Sequence, residues 1–261
     1  MRLRQNVYVS AFKAALQAKL EYRTDLVIGL VTSIMLQLAA LSFLSIVLAT
    51  TPELGGFRGA EVVFLFGLVA TCLGASELLF NQIWLLPSSI VMGDLDRLLT
   101  YPVNTLLFFL VTRPELHALG NLLTGLCYVA GSLWVLGAAW TTWLSVPLWI
   151  VCGTLLYTAL LVLFASVSFR TLGHFGQQLF IPHNLLQASR YPLSVYPAWL
   201  RGLLLIVVPY GACNYLPASV LFGKGGSALS FLVAPSVTAV FVVLAHAAWK
   251  AGLRRYESSG S

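Results

Sequence analysis

Residues 26–50 read LVIGLVTSIMLQLAALSFLSIVLAT, a stretch of 25 residues that contains no charged side chain. An α-helix of about 20 apolar residues is long enough to cross the hydrocarbon core of a bilayer. The stretch therefore predicts a membrane-spanning helix.

The composition extends this prediction to the whole chain. Of the 261 residues, 59% are apolar and only 9% are charged, whereas an ordinary soluble domain is about one-quarter charged. This composition excludes a soluble enzyme, a disordered chain and a nucleic-acid-binding module. The formal net charge of +6 comes from Lys and Arg residues that mostly flank apolar stretches, which is typical of a membrane protein with basic cytoplasmic loops. We therefore expect a lipid bilayer as the environment and no nucleic acid as a partner.

Four further apolar stretches are long enough to span a membrane. They lie at 62–86, 117–139, 146–168 and 230–249. We expect residues 140–145 to form a tight turn between the third and fourth spans.

Residues 1–25 precede the first span and carry basic residues without a continuous apolar core, so we expect no cleavable signal peptide among them. We expect an amphipathic helix at the membrane surface, with one apolar stripe and basic side chains that reach lipid headgroups. The alternative is a solvated helical tail. The stripe consists of Val9, Phe12, Leu16 and Leu20, and the basic side chains are Lys13, Lys19 and Arg23.

The region between the fourth and the last span allows two interpretations, and both give six spans. In the first, residues 202–221 form the fifth span, because they are the most apolar window there. In the second, residues 172–188 cross the membrane despite five polar side chains, and residues 191–223 dip back from the outer face. The positive-inside rule slightly favours the first interpretation, since the second also moves Arg190 and Arg201 outside.

Two prolines within residues 202–221 count against the first interpretation. Pro209 and Pro217 cut the window 202–221 into apolar pieces of under ten residues, and a proline in a helix interior costs about 3 kcal/mol. Pieces that short suit re-entrant half-helices packed against protein. Pro182 interrupts the span of the second interpretation in the same way, so the residues alone leave both interpretations open.

A polar segment between the second and third spans carries the most specific pattern on the inner face. Residues 88–104 read SSIVMGDLDRLLTYPVN. After Gly93, Leu95, Leu98 and Leu99 recur at i, i+3 and i+4, which predicts a short amphipathic helix. Its apolar side is too small to anchor in lipid alone, so it either packs under the helix bundle or docks into a groove on a partner.

Two sequence patterns resemble one family of membrane proteins. The pattern GDLDRLLTYP at 93–102, after a second span, resembles the cytoplasmic coupling segment of ABC-2 type permeases. The stretch RYPLSVYPAWLR at 190–201, followed by Val208-Pro209 and by NYLPA at 214–218, is similar to a subfamily of six-span ABC-2 permeases. The resemblance covers the whole chain, and the second pattern is the more specific one.

The resemblance implies an all-α integral membrane fold. An N-terminal interfacial elbow helix would occupy residues 1–25, six transmembrane helices would lie within 26–250, and a cytoplasmic tail would follow at 251–261. The coupling segment would occupy 87–104 on the cytoplasmic side, and extracytoplasmic re-entrant helices would occupy 191–227, which supports the second interpretation of the fifth span. Both termini would lie in the cytoplasm, and the membrane would be the bacterial cytoplasmic (inner) membrane.

The resemblance also assigns candidate residues to two of these segments. Coupling to an ATPase is expected at Gly93, Asp94, Leu95, Asp96, Arg97, Leu98, Leu99 and Pro102. The re-entrant pattern consists of Tyr191, Pro192, Tyr196, Pro197, Trp199, Pro209, Asn214, Tyr215 and Pro217.

Polar side chains at membrane depth are candidates for a translocation path. Glu77 lies deep in the second span, where an isolated charge costs about 2.5 to 3.5 kcal/mol on insertion scales; a pathway role and a structural hydrogen bond explain it equally well. In the second interpretation, a lipid-facing fifth span could not carry five polar groups, so most of them would face a conduit or a subunit interface. Interhelical hydrogen bonding is the alternative. These five are Gln177, Gln178, His183, Asn184 and Gln187.

No catalytic motif accompanies these candidates. The phosphate-binding pattern GxxxxGK[ST] is absent, because Gly225 follows Gly223-Lys224 where Ser or Thr is needed. The motifs HExxH and GxSxG are absent too, so we assign no catalytic residue and no metal site. We expect no cofactor on this chain and place ATP and Mg²⁺ on a separate ATPase partner. The histidines and cysteines are dispersed; they are His117, His174, His183, His246, Cys72, Cys127, Cys152 and Cys213.

The expected function is that of the permease subunit of an ATP-driven exporter. Two such subunits, as a homodimer or a pair of paralogues, would enclose the path, and two ATPase subunits would bind beneath. One alternative is a secondary transporter or channel driven by ion gradients, a class that often shows internal repeats and paired midplane charges, which this sequence lacks. Another is a membrane scaffold that anchors an ATPase.

Overall fold

The computed structural model describes residues 2–171, 176–225 and 229–256, and the chain within them is almost entirely helical. The helices of the first half are α1 (Arg2–Glu21), α2 (Arg23–Thr50), α3 (Gly59–Phe80), α4 (Leu86–Val91), α5 (Asp94–Leu99), α6 (Thr105–Val111) and α7 (Ala118–Val135). Those of the second half are α8 (Trp140–Ala165), α9 (Ser168–Thr171), α10 (Phe180–Ala188), α11 (Ala198–Gly202), α12 (Tyr210–Cys213), α13 (Tyr215–Leu221) and α14 (Ser230–Leu253). Short 3₁₀ segments and one π-helical turn lie between them, at Asn81–Leu85, Gly176–Leu179, Leu193–Val195 and Leu203–Val207.

Five helical stretches of the described residues are long and apolar enough to cross a membrane. The second of them combines α3 with α4, and the fourth combines α8 with α9. Each overlaps one of the five apolar stretches found in the sequence, so the prediction of a multi-span helical membrane fold is confirmed. They are Arg23–Thr50, Gly59–Val91, Ala118–Val135, Trp140–Thr171 and Ser230–Leu253.

One connection differs from its prediction. Residues 140–145, predicted as a turn, form the first part of α8. Gly137, with φ of +60°, ends α7 instead. Its N–H donates to Trp134 O at 3.1 Å, and the next N–H along the chain donates to Leu133 O at 3.0 Å. This pair of hydrogen bonds closes a helix at a left-handed glycine, which is why the turn comes before the Trp-Thr-Thr-Trp stretch.

α3 lies at the centre of the bundle and packs along its length against α7. Glycines allow this close approach: a Cβ atom at Gly67 would lie 2.7 Å from Tyr128 Cβ, and one at Gly125 would lie 2.5 Å from Thr71 N. Small residues at such contacts are typical of membrane helices, because in lipid close packing and not the hydrophobic effect holds helices together. α2 packs on the outside of α7 and leaves most of its apolar surface exposed.

The two ends of the bundle differ in their connections. A short antiparallel β-hairpin, β1 (Glu53–Leu54) and β2 (Phe57–Arg58), joins α2 to α3 at one end, here called the hairpin end. α4, α9 and the last turns of α14 meet at the other end, called the coupling end. There the rings of Phe169 and Trp249 lie with their centroids 5.2 Å apart.

The chain crosses between the two ends once more after α9. The first four residues of the predicted span 172–188 lie outside the described residues, and the described part is a 3₁₀ segment followed by the nine-residue α10. The crossing starts at the coupling end, where Gln178 Nε2 donates to Ser168 Oγ at 2.8 Å. It finishes at the hairpin end, where Ser194 Oγ donates to Gly55 O at 2.6 Å. α10 alone is too short to span a bilayer, so the segments on either side of it contribute to the crossing.

The helices that follow turn back before they reach the coupling end. α11 and its π-helical continuation are bent by 72° against α12 and α13, and at the bend Tyr210 Oη donates to Pro182 O inside the bundle at 3.0 Å. The chain that leads into these bent helical segments lies at the hairpin end. Lys224, which follows them, lies there too, because its Nζ is 3.1 Å from Glu61 Oε2. Both ends of the pair therefore lie at the hairpin end, which is the course that the second interpretation predicts for residues 202–221, and the pair is called the re-entrant hairpin. The side of the membrane on which this end lies stays a prediction.

Candidate functional site

The segment predicted to couple to an ATPase forms two short helices that meet at a corner. α4 continues from α3, and α5 follows after Gly93. The φ of Gly93 is +72°, in the left-handed region that glycine adopts without strain. The short helix expected after Gly93 is therefore present as α5.

The three leucines of α5 do not share one exposed face. Leu95 is fully buried in the bundle core and Leu98 is half-buried against it, whereas Leu99 is 41% exposed. Of the two alternatives for this apolar stripe, packing under the bundle therefore applies to Leu95 and Leu98. Only Leu99 is available to a partner.

An apolar surface remains exposed around α5 at the coupling end, and it is called the coupling face. It consists of Val91, Met92, Leu99 and Tyr101, which are exposed by 55, 74, 41 and 45%. Asp94, Arg97 and Pro102 of the predicted site are exposed beside it. The sequence pattern missed the two residues before Gly93, because the helical periodicity begins only after that glycine.

Both terminal regions of the chain contact the coupling segment. Tyr8 Oη of α1 accepts a hydrogen bond from Asn104 N at 2.9 Å, and the Asn104 side chain caps α6 by accepting from Leu107 N at 3.1 Å. Tyr256 follows α14 in the chain, and burial together with the neighbouring Asp96 carboxylate raises the pKa of Tyr256 to about 12. Asp96, one of the predicted coupling residues, therefore faces the C-terminal region of the chain.

Three of the five polar residues predicted to line a path make hydrogen bonds inside the chain. His183 Nδ1 lies 2.9 Å from Tyr157 Oη of α8, and His183 Nε2 lies 3.3 Å from Gln187 Nε2. Gln178 donates to the Ser168 hydroxyl at the start of α9. The contacts of His183 and Gln178 reach other helices and support the interhelical interpretation, whereas the contact of Gln187 lies within α10.

The other two, Gln177 and Asn184, are exposed on the surface of the same segment. They share this surface with Phe180 and Ile181, which are 54% and 51% exposed. Polar groups on an exposed surface at membrane depth need water or a second polypeptide as partner. A conduit or a subunit interface therefore stays the expectation for these two residues.

Glu77 accepts the last hydrogen bond in a chain of four side chains. Asn121 Nδ2 of α7 donates to Glu77 Oε2 at 3.0 Å, and Gln37 Nε2 of α2 donates to Asn121 Oδ1 at 3.0 Å. Arg190, beyond α10, donates from Nη1 to Gln37 Oε1 at 3.5 Å. Every donor is oriented toward the carboxylate, an arrangement in which neighbouring hydrogen bonds strengthen one another. These four residues are called the Arg190–Glu77 chain.

The Arg190 end of this chain is buried. Arg190 is 8% exposed, and its guanidinium carbon lies 4.7 Å from the centroid of the Phe66 ring, a cation–π geometry. A buried charge at membrane depth is unfavourable without a partner, and Glu77 provides the opposite charge through two amides. The sequence singles out Glu77 as an isolated charge, whereas its partners give weaker signals: Gln37 and Asn121 are single amides within apolar spans, and Arg190 opens the RYP pattern.

The re-entrant pattern holds the re-entrant hairpin against the end of α10. Tyr196 Oη donates to Ala188 O at 2.8 Å, and Asn214 Nδ2 donates to Ser189 O at 3.0 Å. Pro197 and Trp199 are exposed. The other members are buried or half-buried around this contact; they are Tyr191, Pro192, Pro209, Tyr215 and Pro217.

One carboxylate at the coupling end joins α1 to the segment before α7. Glu115 Oε1 lies 2.7 Å from Lys19 Nζ and 3.0 Å from His117 Nδ1. The hydrogen bonds from His117 and Lys19 lower the pKa of Glu115 to about 2, against the effect of partial burial. In return, Glu115 raises the pKa of His117. α1 is therefore attached to the bundle by the Lys19–Glu115 ion pair, and its position at the membrane surface stays a prediction.

Those histidines and cysteines that the structure describes form no common site. In the part of the chain that the structure describes, no group of three or more His, Cys, Asp or Glu side chains is placed to hold a metal ion. Cys72, Cys152 and Cys213 are buried, Cys127 is exposed, and all four are free thiols. His174 lies outside the described residues.

Comparison with known proteins identifies the family. The model of the family described as ABC-2 family transporter protein matches residues 34–260, which include all the spans except the beginning of α2. No curated protein and no solved structure matches the chain significantly. Because the family match covers most of the sequence, this multi-pass membrane protein belongs to the ABC-2 family of transporter proteins.

Proposed function

We propose that this chain is the membrane-spanning subunit of an ATP-driven exporter. It works with a separate ATPase subunit and with a second permease subunit, either a copy of itself or a paralogue. The coupling face carries this proposal, because it is a small apolar surface on short helices at one end of the bundle, suited to a groove on another protein. Membership of the ABC-2 family supports the same assignment.

The way the coupling face is attached to the spans supports a mechanical role. α5 follows α4, which continues α3, and Leu95 fixes α5 in the bundle core. A force on α5 therefore reaches α3, which packs against α7 and α8. In the proposed mechanism, two ATPase subunits close on ATP, press on the coupling faces and tilt the spans. The result is a switch between two packed arrangements that ends in outward release.

We propose the bacterial cytoplasmic membrane as the location, with both termini and the coupling face in the cytoplasm. Basic residues support this orientation, since Lys250 lies in the last turn of α14 and Arg254 and Arg255 follow that helix at the coupling end. The hairpin end and the re-entrant hairpin then lie on the extracytoplasmic side. ATP and Mg²⁺ bind on the ATPase partner.

Charge substitution tests the coupling face. We expect the double variant Met92→Asp, Leu99→Asp to abolish copurification of an ATPase subunit that is coexpressed with the chain, because a carboxylate without a partner is strongly unfavourable in an apolar groove. Both side chains are exposed, so the spans should still insert and fold, whereas a charge at the half-buried Leu98 would also disturb the core. The control variant Met92→Leu, Leu99→Met keeps the surface apolar and should retain the ATPase.

Copurification and ATP hydrolysis are measured on the same preparations. If the charged variant elutes as a folded protein and still retains an active ATPase, the coupling face is not the docking site. Transport in vesicles that depends on ATP and persists after ion gradients are collapsed distinguishes the exporter from a secondary transporter.

A further inference from the structure

A cleft of about 550 Å³ lies at the coupling end between α1 and the bundle. Ala15 and Ala18 of α1 form one wall together with Tyr22, which lies between α1 and α2, and Leu85 and Pro114 belong to the other. The volume lies within the range of about 300 to 1,000 Å³ found for small-molecule sites. The cleft contains no residue of the coupling face or of the re-entrant hairpin, so it is a separate feature of the molecule.

Four charged side chains surround this cleft, and two of them are already paired with each other. Lys19 and Glu115 form the ion pair of 2.7 Å that attaches α1 to the bundle. Arg113 and Asp25 also line the cleft, and both are exposed. Neither of them has an ion pair or a side-chain hydrogen bond within the described part of the chain. The cleft therefore offers one free guanidinium and one free carboxylate beside an apolar interior.

The cleft lies at the level where the first span begins. Asp25 is in the first turn of α2, and α2 is one of the candidate membrane spans. The end of such a span lies among the lipid headgroups, where aromatic side chains such as the 71% exposed Tyr22 are common. A lipid of the adjacent leaflet can therefore reach the cleft without leaving the bilayer.

We propose that this cleft binds a phospholipid with a primary amine in its headgroup. Arg113 binds the phosphate, because a guanidinium matches phosphate geometry with two parallel hydrogen bonds. Asp25 accepts hydrogen bonds from the ammonium group, and the apolar walls contact the beginning of the acyl chains. A zwitterionic headgroup of this kind leaves no charge of the cleft unpaired.

The two charges disfavour the other common headgroups. An anionic headgroup without an amine would leave Asp25 without a partner and close to a negative charge. A quaternary ammonium has no N–H group to donate to the carboxylate. The bound lipid fills the space beside the Lys19–Glu115 pair and so completes the attachment of α1. This inference does not depend on the chain being an exporter.

Lipid retention by the purified full-length chain tests the proposal. The chain is placed in nanodiscs that contain equal parts of phosphatidylethanolamine, phosphatidylcholine and phosphatidylglycerol, and the lipids that remain bound after transfer to detergent are identified by native mass spectrometry. We expect phosphatidylethanolamine to be enriched about threefold over each of the others, as for a partly exposed ion pair. Asp25→Asn should remove the preference over phosphatidylcholine, and Arg113→Gln should lower the retention of all three lipids.

Three further variants separate a defined site from general contact with lipid. Glu53→Gln and Arg58→Gln remove an exposed carboxylate and an exposed guanidinium at the hairpin end and should leave retention unchanged. Ala18→Trp fills the cleft without a change of charge and should displace every lipid. The proposal is overturned if the parent chain shows no enrichment or retains phosphatidylglycerol best. It is also overturned if Asp25→Asn and Ala18→Trp, each shown to be folded by size-exclusion chromatography, retain lipids as the parent does.

Discussion

At the scale of single residues, one carboxylate determines how α1 is held. Glu115 is shared by Lys19 and His117 at 2.7 and 3.0 Å. Its pKa in the folded chain, about 2, lies below its ordinary value of 4.5, mainly because of the hydrogen bond from His117. The pKa of His117 is raised above its ordinary value of 6.5 by the same contact. Both shifts mean that the charged forms stabilise the folded state.

This linkage predicts how the stability of the contact depends on pH. The contribution of Glu115 to stability is complete above about pH 4.5 and is lost as the pH falls toward 2. The contribution of His117 is complete below about pH 6.5 and is lost as the pH rises through its raised folded pKa.

We expect Glu115→Gln to lower the free energy of unfolding by about 1 kcal/mol near pH 6, the upper end for a partly exposed pair. The difference from the parent should shrink between pH 4.5 and pH 3. Thermal unfolding in detergent across this pH range measures it, and Glu53→Gln at the hairpin end is the control. A difference that does not vary with pH would show that Glu115 acts by packing alone.

At the scale of helices, the long elements could be predicted from the sequence and the packing of the short ones could not. A run of about 20 apolar residues has no stable environment outside a membrane or a core, so the five spans follow from length alone. α10 has nine residues with Pro182 inside, and its crossing depends on hydrogen bonds to α8 and on the re-entrant hairpin behind it. α5 could be predicted as a helix, but only the bundle above it decides that Leu95 is buried and Leu99 exposed.

Two glycines, Gly131 inside α7 and Gly137 just after it, test where this helix ends. We expect Gly137→Ala to lower the free energy of unfolding by about 1 kcal/mol, because a Cβ atom is unfavourable at φ of +60°. Gly131 lies inside α7, and a Cβ atom there would meet nothing within 4 Å. Gly131→Ala should therefore be neutral or stabilising, because alanine is the better helix former. Thermal unfolding of both variants in the same detergent compares them, and an equal loss in both would contradict the left-handed helix end at Gly137.

At the scale of the whole molecule, the Arg190–Glu77 chain connects elements that are distant in sequence. It joins α2, α7 and α3 to the residue that leads into the re-entrant hairpin. α3 continues at its other end into α4 and α5, so the same helix contacts both the buried charges and the coupling face. Glu77 could be recognised from the sequence as an unusual charge, but its partners could not, because each is an ordinary polar residue until the spans are packed together.

A double-mutant cycle tests whether the two charges of this chain act as a pair. We expect Glu77→Gln and Arg190→Gln each to lower the free energy of unfolding by about 2 kcal/mol, because each leaves the opposite charge buried without a counter-charge. In the double variant both charges are gone, so the loss should be smaller than the sum of the two single losses by at least about 1 kcal/mol. Asn121→Leu interrupts the bridge and should weaken this coupling while both charges remain. Unfolding of the four proteins of the cycle, and of the same four in the Asn121→Leu background, in one detergent provides the comparison. If the losses from the two single changes simply add in the double variant, Glu77 is not the counter-charge of Arg190, and a direct role of Glu77 in the translocation path becomes the better explanation.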